Sequence, residues 1–144
     1  MFGVILVGTD GSLTADQAVA RAAELAAQTG SALHIVTVYR SNLVRKLEAE
    51  RASSSEEIDM SLSLDDEARA TLRGASVLAL QTGVTAEEHA VEGDPARMIL
   101  KTAEDLAADL IVVGSKGLER RVFGSVPNTI THEANCDVLV VHTT

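Results

Sequence analysis

Glycines and hydroxyl groups follow an apolar run in the last third of the chain, in an order that suits a phosphate site. The run from Ile111 to Val113 leads into a first group, Gly114, Ser115, Lys116 and Gly117, and after six residues into a second, Gly124, Ser125 and Val126. Glycine lacks the Cβ that would block a close approach of the backbone, so its N–H groups can face an anion. Ser125 stands where a helix is predicted to begin, and a helix N-terminus favours negative charge. Glycines can also form turns alone, but three of them with a serine, between a strand and a helix, favour an anion site.

A second polar loop follows the first apolar run of the chain. Residues 3–8 lack polar side chains, and Thr9, Asp10 and Gly11 come directly after them. Asp10 is either a residue of the turn or a ligand of a bound group. Both loops follow predicted strands, and ligands of open parallel sheets bind outside the carboxyl ends of the strands. The two loops meet at that edge if the first and fourth strands are neighbours.

Other kinds of chemistry have little support in the sequence. The chain has neither G-x-x-x-x-G-K-[ST] nor G-x-G-x-x-G, so it carries no P-loop and no dinucleotide fingerprint. His132 and Glu133 resemble the start of a zinc-binding helix, but Cys136 stands where the second histidine would be. The other three histidines are scattered beside predicted strands, and structural or surface roles are the default for them. We therefore predict neither a catalytic residue nor a metal site.

Composition limits the class of protein and of partner. The chain has 144 residues, which suits one domain, and residues 1–144 are taken as a single unit. Its net charge of −9 argues against binding to nucleic acid or to an anionic membrane. The apolar N-terminus is too short for a membrane-spanning helix, and a single cysteine leaves no intrachain disulfide. We predict a cytoplasmic protein without nucleic-acid or membrane partners.

Five apolar runs alternate with four helical patterns along the chain. The predicted strands are Gly3 to Thr9, Ala32 to Tyr39, Thr85 to Glu92, Leu110 to Val113 and Asp137 to His142. The predicted helices run from a capping box at Thr14 to Gly30, from Asp65 to Thr82, from Pro95 behind an Asp94 cap, and from Ser125 to Ala134. Strands that alternate with helices predict an α/β fold, with one doubly wound parallel sheet and helices on both faces.

The segment from Arg40 to Leu62 fits this pattern least. It holds four basic residues and a serine run, and it offers little apolar surface to offset the entropy lost on ordering. Because it follows the second strand, it emerges at the edge of the sheet that carries the polar loops. We predict a mobile lid or partner surface, and the competing interpretation is a packed helix.

Taken together, the motifs resemble the universal stress protein family over essentially the whole chain. The resemblance is carried by V-G-T-D-G-S at 7–12, E-G-D-P at 92–95, V-V-G-S-K-G at 112–117, G-S-V-P at 124–127 and C-D-V-L-V-V at 136–141. It implies a five-stranded sheet in the order 3-2-1-4-5 and a homodimer formed through the last strand. It also implies a regulatory protein that binds an adenine nucleotide. ATP is the expected ligand, with or without Mg²⁺, and AMP and cyclic AMP are the alternatives.

The family's nucleotide-binding motif, G-x-x-G-x(9)-G-[ST], assigns roles to single residues by this resemblance. The implied binding set is Thr9, Asp10, Gly11, Val38, Gly114, Ser115, Lys116, Gly117, Gly124, Ser125 and Val126. Asp10 matches the acidic residue that contacts the nucleotide, and Val38 matches the strand position whose backbone faces adenine. No general base accompanies Asp10, so slow ATP hydrolysis is the most that is expected.

One departure from the family motif keeps a second interpretation open. Between Gly117 and Gly124 this chain has six residues where the motif has nine. A shorter loop changes the geometry available to a phosphate. The alternative is a universal stress protein that binds no nucleotide and acts as a dimeric interaction module.

Overall fold

The computed structural model describes residues 2–40, 54–115 and 126–143, with residues 54–64 as helical backbone. Within these ranges the strands are β1 (Val4–Gly8), β2 (Ala32–Tyr39), β3 (Ala86–Glu92), β4 (Leu110–Gly114) and β5 (Asp137–Val141). The helices are α1 (Leu13–Thr29), α2 (Ser54–Leu80), α3 (Pro95–Leu106) and α4 (Val126–Glu133). The second strand has the predicted bounds, and the other four agree within one or two residues.

All five strands form one parallel sheet, in the order β3-β2-β1-β4-β5. The predicted fold class and strand order are therefore confirmed. From β1 the chain builds the sheet outward through β2 and β3, and it then crosses to the other side of β1 to add β4 and β5. The carboxyl ends of β1 and β4 mark the point at which the strand order reverses, which is where open α/β sheets bind ligands.

Helices cover both faces of the sheet, as predicted. On the face of α1 and α2, Ile5, Val7 and Ile35 are fully buried. On the face of α3 and α4, Leu6 and Val36 are fully buried. Successive residues of β1 thus belong to opposite cores, because side chains alternate along a strand and β1 lies at the centre of the sheet. The two cores hold the carboxyl edge in a fixed geometry.

The N-caps of α1 and α3 are Ser12 and Asp94. Asp94 caps α3, accepting a hydrogen bond from the Arg97 N–H at 3.1 Å, as predicted. The predicted capping box at Thr14 is wrong, because Ser12 has the extended backbone of an N-cap and its Oγ accepts from the Ala15 N–H at 3.1 Å. Starting α1 two residues earlier shortens the loop after β1 and brings the helix close to the carboxyl edge.

The second helix begins eleven residues before the predicted start at Asp65. It spans Ser54–Leu80, so residues 54–62 are helical. The remainder of the segment predicted as a mobile lid or partner surface, residues 41–53, lies outside the described residues.

Asp109 aligns β1 with β4 at the amino edge of the sheet. Its Oδ2 accepts hydrogen bonds from the backbone N–H groups of Val4 at 2.8 Å and Gly3 at 2.7 Å, and its own N–H donates to the Val4 carbonyl at 2.9 Å. The two bonds to the carboxylate hold the pKa of Asp109 below its ordinary value. This clamp sets the register of the two strands whose opposite ends form the site described below.

Candidate functional site

A pocket opens at the carboxyl edge of the sheet, where β1 and β4 end side by side. The space between its walls, with the solvent at its mouth included, is about 520 Å³. Its walls are the ends of β1, β2 and β4, the first turn of α1 and the start of α3. The lining residues are Gly8, Thr9, Asp10, Ala15, Val36, Val38, Pro95, Ile99, Val113 and Gly114.

The turn after β1 is held by its own side chains. The Thr9 N–H donates to the Val36 carbonyl at 3.0 Å, which is the last hydrogen bond between β1 and β2. The Thr9 hydroxyl accepts from the Gly11 N–H at 3.1 Å, and Asp10 Oδ1 accepts from the Ser12 N–H at 2.9 Å. Thr9 is buried, whereas Asp10 is exposed at the rim of the pocket. The turn therefore presents a carboxylate to the pocket in a fixed position.

Gly11 has a local role in this turn. Its φ of +83° lies in the region that favours glycine, and an added Cβ would lie 3.1 Å from the Thr71 Oγ1. The backbone of the turn thus passes close to α2. Gly11 is not among the residues that line the pocket, although Thr9 and Asp10, its neighbours in the predicted binding set, are.

Val38 lies beyond the last bond between β1 and β2. Backbone groups of successive strand residues point to opposite sides, so those of Val38 point the same way as those of Val36, toward β1. By that point β1 has left the sheet through Asp10. The N–H and C=O of Val38 consequently face the pocket instead of another strand, and the side chain of Val38 lines the same pocket.

The loop after β4 contributes two of its predicted residues to the described edge. Gly114 lines the pocket, and an added Cβ there would lie 3.2 Å from Thr143 Cγ2. Ser115 is directed toward β5, because its N–H donates to the Val141 carbonyl at 2.9 Å and its Oγ accepts from the Thr143 N–H at 3.1 Å.

The other predicted residues of this loop fall into two groups. Lys116, Gly117, Gly124 and Ser125 lie outside the described residues. Val126 begins α4 and is buried in the core with Ile130, so its side chain serves packing.

The apolar wall of the pocket was not predicted from the sequence. Pro95 and Ile99 on α3 face Val36 and Val38 on β2 across the opening. One signal was available, since the Asp94 cap was predicted, and a helix that follows a strand of a parallel sheet must begin at the carboxyl edge. The residues of its first two turns were therefore candidates for the wall.

The electrostatics of the described lining are simple. Asp10 is the one charged side chain among the ten lining residues. Burial, and then the neighbouring Asp10 carboxylate, raise the pKa of Asp16 above its ordinary value. The lining thus offers apolar surface with one carboxylate at its rim, which suits an apolar group that carries hydroxyl or amine donors. An anionic group would require N–H donors or cations from beyond these ten residues.

The family model of the universal stress proteins matches residues 1–142 of this chain. The chain belongs to the universal stress protein family. A relative in Staphylococcus haemolyticus is 37% identical, over 96% of this chain and 84% of the relative. Because the matched length exceeds the described ranges, the family assignment also covers the loop that holds Lys116 and Gly124.

Two solved structures of universal stress proteins resemble this member of the family throughout. One, a crystal structure in complex with cAMP, has a TM-score of 0.76 and 33% identity over 99% of this chain and 98% of that one. The other, from Archaeoglobus fulgidus in complex with dAMP, has a TM-score of 0.67 and 26% identity over 96% of both chains. Both neighbours carry an adenine nucleotide.

Among the described residues, no helix is long and apolar enough to cross a membrane.

Proposed function

We propose that this universal stress protein binds an adenine nucleotide in the pocket between the ends of β1 and β4, and that the nucleotide regulates its role in a stress response. The observation that carries the proposal is the pocket itself, which combines apolar walls, a rim carboxylate and a free strand end at the point where strand order reverses. The cAMP and dAMP complexes of its structural neighbours support the choice of adenine.

The base binds between the apolar walls. Val38 on the sheet and Pro95 on α3, which are both partly exposed, offer surfaces that suit the faces of a planar ring. The N–H and C=O of Val38 supply one donor and one acceptor, which is the pairing that the edge of adenine requires. Asp10 accepts hydrogen bonds from the ribose hydroxyls, since an ionised carboxylate is an acceptor only.

The phosphates bind at the loop between β4 and α4. Lys116 supplies a cation, Gly117 and Gly124 allow close approach of the backbone, and Ser125 precedes the first residue of α4. The stretch between Gly117 and Gly124 has six residues where the family motif has nine. Fewer backbone N–H groups are therefore available to bind a chain of phosphates. ATP is the proposed ligand, with AMP and cyclic AMP as the alternatives that the shorter loop favours.

Catalysis is not part of the proposal. Asp10 is the one carboxylate of the described pocket, and no histidine or further acid lines it to act as a base. If ATP binds with Mg²⁺, Asp10 is the pocket's candidate ligand for the metal. We propose that the protein acts in the cytoplasm as a nucleotide-dependent switch with at most slow hydrolysis.

Replacing Gly117 with valine should abolish nucleotide binding without unfolding the protein. A branched side chain at this position would lie where the phosphate must approach the backbone. Isothermal calorimetry with ATP, AMP and cyclic AMP measures the loss, and circular dichroism checks that the variant is folded. Equal affinity of the variant and the wild type would show that the phosphate site is wrong. If the wild type itself binds none of the three at millimolar ligand, the interaction-module interpretation replaces this one.

The same protein is proposed to form a homodimer through β5. This strand pairs with β4 on one side and is an edge of the sheet on the other. Its apolar sequence has no proline or lysine to protect an open edge, and Val140 is 38% exposed. Pairing of two β5 strands would cover this edge and the exposed Val140.

Introducing lysine at Val140 should shift the dimer to a monomer, because the charge would have to be buried at the strand interface. Val77→Lys is the matched control, since Val77 is an exposed valine on α2, away from β5. Sedimentation at micromolar concentration should show dimers of the wild type and the control, and monomers of Val140→Lys. A monomeric wild type, or an unchanged dimer of Val140→Lys, would rule out this interface.

A further inference from the structure

Two histidines and a glutamate form a cluster on β2 and β3, away from the nucleotide pocket. His34 on β2 is in register with Glu87 on β3, and Val36 is in register with His89. Because side chains alternate along a strand, all three project from the face of the sheet that α3 and α4 cover. Val38, at the pocket, lies four residues beyond His34 on the same strand, or about 13 Å along it.

The ligand atoms of these side chains converge. His34 Nδ1 lies 2.9 Å from His89 Nε2 and 3.2 Å from Glu87 Oε2, and all the ligand atoms lie within 4.8 Å of one another. Two ligands at about 2.05 Å from a tetrahedral Zn²⁺ are about 3.3 Å apart. Both distances from His34 Nδ1 are within a few tenths of an ångström of that value, so a small movement of the exposed Glu87 side chain and the His89 ring would let all three atoms surround such an ion.

Hydrogen bonding alone does not use this arrangement fully. His34 Nδ1 carries at most one proton, yet both His89 Nε2 and Glu87 Oε2 lie within reach of it. That nitrogen therefore hydrogen-bonds one neighbour at a time, as donor or acceptor according to the tautomers, while solvent can reach the exposed carboxylate. A cation at the centre would accept a lone pair from each of the three atoms.

The cluster is buried on the side of His34 and open to solvent on the side of Glu87. The side chain of His34 is 11% exposed, whereas that of Glu87 is 74% exposed at the edge strand β3. The rings of His34 and His89 stack with centroids 5.1 Å apart, which limits their rotation. Ions can enter from the solvent side, and a water molecule can occupy a fourth position.

We propose that His34, Glu87 and His89 form a Zn²⁺ site with three protein ligands and one open position. Two imidazoles and one carboxylate are a ligand set that suits this borderline-soft dication. This proposal departs from the prediction that the chain has no metal site. It is the one group of three or more such side chains that converges in this way within residues 2–40, 65–115 and 126–143.

The first test is calorimetric titration of chelator-washed protein with zinc chloride alone. The wild type should bind one Zn²⁺ per chain, and His89→Gln should lower the affinity at least about tenfold, since the loss of a second-shell partner alone costs that much. His132→Gln is the matched control, because His132 is an exposed histidine on α4 outside the cluster. Affinity that is unchanged in His89→Gln, or lowered in His132→Gln, would overturn the proposal.

A second variant separates a loss of Zn²⁺ binding from a loss of folding. Glu87→Gln changes an exposed side chain, so the sheet should remain intact while Zn²⁺ binding weakens. Zn²⁺ should raise the melting temperature of the wild type and of His132→Gln but raise that of Glu87→Gln less. With Co²⁺ as the probe, the wild type should develop the visible absorption of a four-coordinate site. Absence of saturable binding or of that absorption would show that the cluster is a hydrogen-bonded pair with a nearby carboxylate.

Discussion

Replacing Gly8 with valine should lower the affinity for adenine nucleotide at least about a hundredfold, or about 2.7 kcal/mol. Gly8 forms the floor of the pocket at the end of β1. A Cβ at this position would lie 3.0 Å from Ile99 Cδ1 and 4.0 Å from Val113 Cγ1. Ile99 must move, and the space beside it is the pocket, so the new methyl groups and the displaced side chain fill the room of the base.

The variant should remain folded, because a β-branched residue suits a strand and Gly8 has no left-handed φ. Ala32→Val is the matched control, since it adds a β-branched side chain at an exposed position on the opposite edge of the sheet. Calorimetry should show wild-type affinity for the control and no measurable binding for Gly8→Val. Nucleotide affinity that is retained in Gly8→Val would place the binding site elsewhere.

Replacing Leu72 with alanine should lower the free energy of unfolding by about 3 kcal/mol. Leu72 is 2% exposed and packs in the core between α2 and the sheet, beside Ile5 and Ile35. Truncation removes apolar contacts and leaves a cavity, because the surrounding side chains relax only in part. The melting temperature should fall by about 10 °C.

Leu80→Ala, in the same helix, is the control for this change. Leu80 is 61% exposed, so the same truncation should alter the free energy of unfolding by less than about 0.5 kcal/mol. Urea unfolding measures both variants. Similar losses at the two positions would mean that α2 is rotated relative to the sheet from the packing described above.

Much of the fold could be predicted because its signals are local and repeated. The apolar runs at β1, β2 and β4 are long enough to require burial on both faces, and Asp94-Pro95 is a strong start signal for a helix. The order of the strands could not be predicted from these local signals. Alternation of strands and helices implies a parallel sheet, but it does not show which strands are neighbours. The order came from the resemblance to the family.

The errors have physical causes in particular residues. Ser12 and Thr14 both bear hydroxyls that can cap a helix, and the sequence favoured both as caps; in the structure the Ser12 Oγ accepts from the Ala15 N–H. The start of α2 at Ser54 was hidden because a polar serine run is typical of loops as well as of helix starts. Asp65 and its acidic neighbours gave a second, equally good start signal inside the helix.

Part of the site could be predicted because it is built on residues that directly follow strands. Asp10 and Gly114 follow strands directly, so the sequence could place them at the carboxyl edge, and both line the pocket. Ile99 and Pro95 form a wall because α3 packs against β2; the Asp94 cap placed the start of α3 at this edge, but it did not show which strand the helix packs against. The cluster of His34 with His89 depends on the register between two strands separated by a helix, so the pair appeared as two scattered histidines.

Nuclear magnetic resonance titration of the ¹⁵N-labelled wild type with ATP, AMP and cyclic AMP tests the central claim most directly. If the nucleotide binds in the pocket, the backbone amide signals of Thr9, Asp10, Val38 and Gly114 should show saturable chemical-shift changes. The amides of Ala32, Asp109 and Asp137, at the amino edge of the sheet, should stay in place. Spectra that do not change at millimolar concentrations of any of the three, or shifts confined to the amino edge, would contradict it.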